Sequence, residues 1–295
     1  EEADANSKEK QIQEIFSGIM VVDNAFLKKG LKTLVRNNAA GEYYLTDLVS
    51  YAQRTKNKVG SYSIDQEEVL GANNKHELSD LYKAMVALNI RAAKQKGTIF
   101  KDEETCYVEG ELKVGKDVKI GNNVTLKGNV QLGDNVVIES NCLISNSKIL
   151  KGSIIKDFCA IEDSKIASNV EVGPFARLRS GAMLESSSKV GNFVEIKNSK
   201  IGEGSKANHH AYLGDAEIGK KSNIGAGTIT CNYDGKKKHK TNISDNVFVG
   251  TNSSLVAPVK IGKKSYIAAG SVITQDVPSN SLAFGRSKQT TKKNW

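Results

Sequence analysis

Large aliphatic residues recur at every sixth position over most of this chain. Val108, Val114, Ile120, Leu126, Leu132, Ile138 and Ile144 stand six apart. The series resumes after a five-residue step at Ile149, Ile155 and Ile161, and after another at Ile166, Val172, Leu178, Leu184, Val190 and Ile196. A last set holds Ile243, Val249, Leu255, Ile261, Ile267 and Ile273. Six is not a helical period, and strand alternation alone does not ask for one large aliphatic every sixth residue. The pattern predicts short strands joined by tight corners, with each aliphatic inside and stacked on its equivalent one coil later. Gly follows many of them, as in Val114-Gly115, Ile120-Gly121 and Val190-Gly191, where a corner needs backbone freedom or leaves no room for a side chain. The expected fold is mainly β, a parallel β-helix of hexapeptide repeats. Three sides of about six residues give ~18 residues per coil, ~9 coils and a prism roughly 45 Å tall.

Residues 1 to about 100 lack this period and read as α/β. Gly18 to Val22 and Val59 to Ile64 have the form of short buried strands. Asn24 can cap a helix carrying Phe26, Leu27, Leu31 and Leu34, ending near Asn37-Asn38. Tyr43 to Arg54 is a second helical pattern. A longer helix runs from Asn73-Asn74 to about Lys96, with Leu78, Leu81, Met85 and Leu88 at helical spacing and Gly97 as its stop.

Composition narrows the classes. Of 295 residues, 39% are hydrophobic, too many for a disordered chain. No apolar run approaches the ~20 residues of a membrane-spanning helix. The start, Glu1-Glu2-Ala3-Asp4, has neither the basic nor the apolar stretch of a signal peptide and no Met, so a trimmed, cytoplasmic chain is expected. Cys106, Cys142, Cys159 and Cys231 form no CxxC pair and read as free thiols. The net charge of +9 suits phosphate on a small ligand better than nucleic acid, since no nucleic-acid motif or interleaved aromatics accompany the lysines.

The repeat turns spacing into proximity. Arg179 and Lys197 follow inward aliphatics 18 apart, so both side chains are expected on one side of adjacent coils, where an anion would offset their repulsion. The repeat stumbles at Ser205 to Tyr212, which holds His209 and His210. A histidine there can serve as general base. Zinc is disfavoured, because adjacent histidines on a strand face opposite ways and no further cluster supplies ligands. A second interruption, Gly225 to Gly235 followed by Lys236 to Lys240, combines small residues, turn chemistry and a basic loop. Exposed N–H groups there could stabilise an acyl-transfer oxyanion, and the lysines could meet phosphate.

At these residues the chain resembles the family of bacterial bifunctional N-acetylglucosamine-1-phosphate uridyltransferase/glucosamine-1-phosphate N-acetyltransferases. The matching stretches are Val172 to Arg179, Val190 to Glu195, Tyr212 to Ala216, Asn223 to Gly235, Leu255 to Pro258, and Gln289-Thr290 with Trp295. The resemblance implies a left-handed coil over 103–295, with a C-terminal arm from about 276. It also implies that 1–102 is an α/β remnant of a nucleotidyltransferase domain with its linker helix. It implies a homotrimer that acetylates glucosamine 1-phosphate from acetyl-CoA. His209 would be the base, Arg179, Lys197, Tyr212 and Asn223 would hold the sugar phosphate, and Ala226, Asn232, Tyr233, Lys238, Thr251, Ala269 and Arg286 would serve acetyl-CoA. Glu1 and Asn73 match nucleotide-sugar contacts, Asn73 also a magnesium ligand. The Gly-rich nucleotide loop and the partner aspartate are missing, so uridyl transfer is expected to be lost. Phe16 replaces a usual Asn, Thr251 a usual Ser and Ser180 a usual Pro. The competing readings are a hexapeptide acyltransferase for another amino sugar, and a non-catalytic trimeric scaffold.

Overall fold

The computed structural model describes residues 4–293. By packing, the backbone forms two compact units, 1–84 and 85–295. Position 102/103 lies within the second unit, between the strands Ile99–Phe100 and Tyr107–Val114, and the last turns of the long helix belong to that unit too.

The regular elements described in the first unit are short helices joined by irregular chain. Helix α1 (Asn24–Gly30) is capped by Asp23, whose Oδ1 accepts from the Phe26 N–H at 2.8 Å, and a 3-10 turn (Leu31–Thr33) follows it. Helix α2 (Asp47–Arg54) buries Leu48 and Ala52. Phe26 and Tyr51 meet with ring centroids 5.1 Å apart. Two expectations fail here. Gly18 to Val22 and Val59 to Ile64 form no strands, and Val21 is 99% exposed. A short apolar strand needs neighbours to take its N–H and C=O groups, and no described strand of this unit offers a ladder. The first helix also ends seven residues early, at Gly30.

Helix α3 (Lys75–Gln95) begins where Asn74 Oδ1 accepts from the His76 and Glu77 N–H groups. It stops at Gly97, which takes φ +91°. Its buried positions are Val86, Ile90 and Ala93, whereas Leu78 and Met85 of the expected stripe are more than half exposed. The stripe that packs is thus turned by one residue, about 100° round the helix, from the one the aliphatic count favours.

From Ile99 to Ala283 the chain is a parallel β-helix, and the hexapeptide period fits its left-handed form. One face carries eleven strands from Ile99–Phe100 to Leu282–Ala283, which makes about ten turns rather than nine. The coil starts before the first counted aliphatic and continues past the last. Register matches the spacing argument: Glu171 pairs with Lys189 and Phe248 with Tyr266, each 18 residues on, while Lys189 pairs with Lys206, 17 on. The repeat's aliphatics from Ile120 to Ile267 are buried. Buried corner serines complete the ladder, as where Ser153 Oγ donates to Ala167 O and accepts from the Val170 N–H. Asn223 pairs with Phe248, 25 residues on. That long coil contains the basic loop.

Candidate functional site

Two rows of residues run along the coil. The first begins at the strand Lys206–His209. Asn192 pairs with His209, and Ala207 pairs with Ile224, so His209 stands beside Ala226 on the next coil. Ile224 pairs with Val249 and Val249 with Ile267, which puts Ala226, Thr251 and Ala269 in line. The hydrogen bonds follow this line: Asn252 N–H donates to Ala226 O, and Gly270 N–H to Thr251 O, both at 2.7 Å. Arg286 ends the row, its Cδ 3.8 Å from where a Cβ on Gly270 would stand. Gly225 is needed because a Cβ there would lie 2.6 Å from Val249 O. Two of the N–H groups in the stretch expected to face an oxyanion are already taken. The Gly225 and Gly227 N–H groups are not available to an oxyanion, since they donate to Val249 O and His210 O at 2.9 Å.

His209 is exposed, and its Nδ1 lies 2.7 Å from Asn192 Oδ1. An amide oxygen only accepts, so Nδ1 donates here, and in the neutral ring this tautomer leaves the lone pair on Nε2. The neighbouring His210 has a different place. It turns at φ +43° and stacks on Phe193, the end of a ladder that continues to Phe175 and Phe158 with centroids about 5 Å apart.

The second row carries charge. Leu178 pairs with Ile196, so Arg179 and Lys197 lie on adjacent coils as their spacing requires. Arg179 Nη1 donates to Glu195 Oε1 at 2.8 Å, which holds the guanidinium even more firmly protonated. Arg179 and then Lys238 push the Lys197 ammonium below its ordinary value, because three cations face one another. The same row continues from Lys197 to Gly214. A Cβ on Gly214 would stand 2.5 Å from Tyr212 Oη and 2.8 Å from Asn232 Nδ2, so this glycine leaves room for both side chains. Asn232 is buried and donates to Asp215 Oδ2 at 2.6 Å. Asp215 Oδ1 accepts from Asn198 Nδ2 at the same distance.

Other expected residues stand elsewhere. Asn223 belongs to the row Lys206, Asn223, Phe248, not to the row Glu195, Tyr212, Ile229. Tyr233 is 61% exposed, its hydroxyl donating to Gly235 O. Asn73 donates through its backbone N–H and its Nδ2 to Glu77 Oε2. Among the described residues no three His, Cys, Asp or Glu side chains gather to hold a metal, so Asn73 offers magnesium a single amide oxygen and no fit. Glu1 lies outside the described residues. Sequence reasoning missed Asn192, Glu195 and Asp215. A signal existed, since Asn192 and His209 are 17 apart, and so are Asn198 and Asp215, and Asp215 and Asn232; 17 is the length of one short coil.

Comparison with known proteins now bears on these rows. A family model for the C-terminal domain of GMPPB matches residues 104–190, and one for bacterial transferase hexapeptide repeats matches 240–275. The bifunctional protein GlmU of Acinetobacter baylyi is 48% identical over 296 residues, covering 100% of this chain and 65% of that protein. GlmU of Thermosipho melanesiensis is 46% identical with the same coverage. Along its whole length the chain is similar to these GlmU proteins. It spans about 65% of the length of these GlmU relatives, and the match takes in both rows and the basic loop. A UDP-N-acetylglucosamine acyltransferase from Francisella novicida aligns with a TM-score of 0.43 at 19% identity, over 62% of this chain and 66% of that one.

Proposed function

We propose that this chain transfers acetyl from acetyl-CoA to the amine of glucosamine 1-phosphate, as a homotrimer. The observation that carries the reading is the place of His209, its Nδ1 held by Asn192 Oδ1 and the residue in line with Ala226, Thr251 and Ala269. Nε2 takes a proton from the sugar amine as its nitrogen attacks the thioester carbonyl. The C–N bond forms, the C–S bond breaks, and the proton leaves with the thiol of coenzyme A. A positioned amine attacks directly, so no acyl-enzyme is required. Asn192 fixes the tautomer that makes this possible. The small residues of the first row leave a path for the extended coenzyme, with Arg286 at its far end for a phosphate.

Arg179 and Lys197 receive the sugar phosphate, and Lys238, expected at acetyl-CoA, joins them because it stands beside Lys197; the two charges of the phosphate relieve the crowding of three cations. Tyr212 reaches the sugar from the same row. The two rows lie on different faces of one coil, and a neighbouring copy completes the site by bringing its second row against the first. No uridyl transfer is assigned to these residues, since among the described residues no cluster of carboxylates stands with Asn73 to hold a magnesium ion.

Incubating the chain with acetyl-CoA and an amino sugar tests the reading. Thiol release is expected with glucosamine 1-phosphate and not with glucosamine 6-phosphate or buffer. Release with the 6-phosphate alone would move the reading to another amino sugar. No release with either would favour a scaffold.

A further inference from the structure

The basic loop is held in shape by one carboxylate and one imidazole that no role above uses. Asp234 Oδ1 accepts from the backbone N–H of Lys236 at 2.7 Å and of Lys237 at 2.6 Å. Its Oδ2 lies 2.7 Å from His239 Nε2. Around this hub the chain doubles back: Tyr233 and Lys238 form an antiparallel bridge, and the His239 N–H donates to Asn232 O at 2.8 Å. The Lys237 N–H first, then His239, then the Lys236 N–H hold the Asp234 carboxyl far below the usual range, so it is ionised at any working pH. A carboxylate only accepts, and His239 Nε2 therefore donates to it.

The hairpin reads out at two points. At one end, Asn232 is tied to Asp215. At the other, Lys238 reaches Lys197, where like charge resists the approach. Adjacent residues on an extended segment point to opposite sides. With the His239 ring drawn inward to Asp234, Lys238 is turned outward, toward Lys197 and Arg179.

We propose that His239 is a positioning residue that acts through Asp234, clasping the 232–239 hairpin so that Lys238 becomes the third cation of the phosphate site. The inference rests on the function proposed above, and it deepens the reading of that site. Without the clasp, repulsion between Lys238 and Lys197 would let the loop swing away and leave two cations for the anion.

Calorimetric titration of the whole chain separates the possibilities. Glucosamine 1-phosphate is titrated into the unaltered protein, His239→Leu, Lys238→Met, the double variant, and His239→Gln, whose Nε2 can still donate to Asp234. His239→Leu is expected to weaken binding about as much as Lys238→Met, roughly tenfold for one charge-assisted contact. The double variant should bind no worse than Lys238→Met, since the clasp acts only through that lysine. His239→Gln should stay near the unaltered affinity. Unaltered binding by His239→Leu, or additive losses in the double variant, would overturn the proposal. The same series with inorganic phosphate judges the clasp apart from the sugar. Binding of phosphate without the sugar phosphate would refute the substrate, and absence of both would refute the clasp as well.

Discussion

His209 and Lys197 show how single contacts set chemistry. The Asn192 amide oxygen dictates the tautomer of His209, so Asn192→Leu should lower the acetyl-transfer rate without removing the base. Replacing the base itself costs about 10²- to 10⁴-fold, and Asn192→Leu is expected to cost less than that in kcat, with KM for acetyl-CoA little changed. Lys197 titrates below its ordinary 10.5, because Arg179 and Lys238 disfavour its charged form. A lysine whose value is lowered on folding costs stability while it is charged, in full below the lowered value, and the cost is gone once pH passes the ordinary 10.5. Lys197→Met should therefore melt at a higher temperature at neutral pH, and should lose the further rise that sugar phosphate gives the unaltered chain. A lower melting temperature would contradict this account. Affinity for the sugar phosphate should begin to fall at a more acidic pH than an ordinary lysine would dictate. In Arg179→Met that fall should move to higher pH.

At the scale of strands and corners, much was legible in the sequence because the coil repeats its own geometry. The six-residue period placed Ile196 and Leu178 inside, and 18-residue spacing put Arg179 beside Lys197. Ile196 is fully buried between its equivalents on neighbouring coils. Ile196→Ala should cost about 2–5 kcal/mol in chemical unfolding, the range for large-to-small changes in a packed core. Gly214→Val makes a different demand, since its side chain would occupy the space of Tyr212 Oη and Asn232 Nδ2. It should weaken binding of the sugar phosphate far more than it lowers stability, as titration and unfolding of the same variant would show. Polar links across coils were harder to read. Asp215 joins two asparagines only because coils of 17 residues bring them level, and the five-residue steps that shorten the coils reveal this only once register is known. The absent strands at 18–22 and 59–64 teach the converse. Apolar runs such as Ile19 to Val22 favour a strand locally, but a strand exists only where another takes its hydrogen bonds.

The whole molecule supplies what one coil cannot. His209 lies in one row and Arg179 in another, and the proposed site joins a row from each of two copies. Mixed trimers therefore give a sharp expectation. Chains carrying His209→Ala and chains carrying Arg179→Met should each be inactive alone, and co-assembled they should recover part of the activity at the sites that combine two unaltered rows. Failure of mixed assemblies to recover would place the full site within one chain. The phenylalanine ladder ending at His210 adjoins the first row, and its half-exposed rings are available to such a contact. The most direct test of the central claim is the rate at which thiol is released from acetyl-CoA in a single turnover with glucosamine 1-phosphate, measured for the unaltered chain and for His209→Ala. The account predicts release that depends on the sugar and falls by at least about a hundredfold in the variant, with sugar binding retained. Equal rates in the two proteins would contradict it, because the chemistry would then not pass through His209.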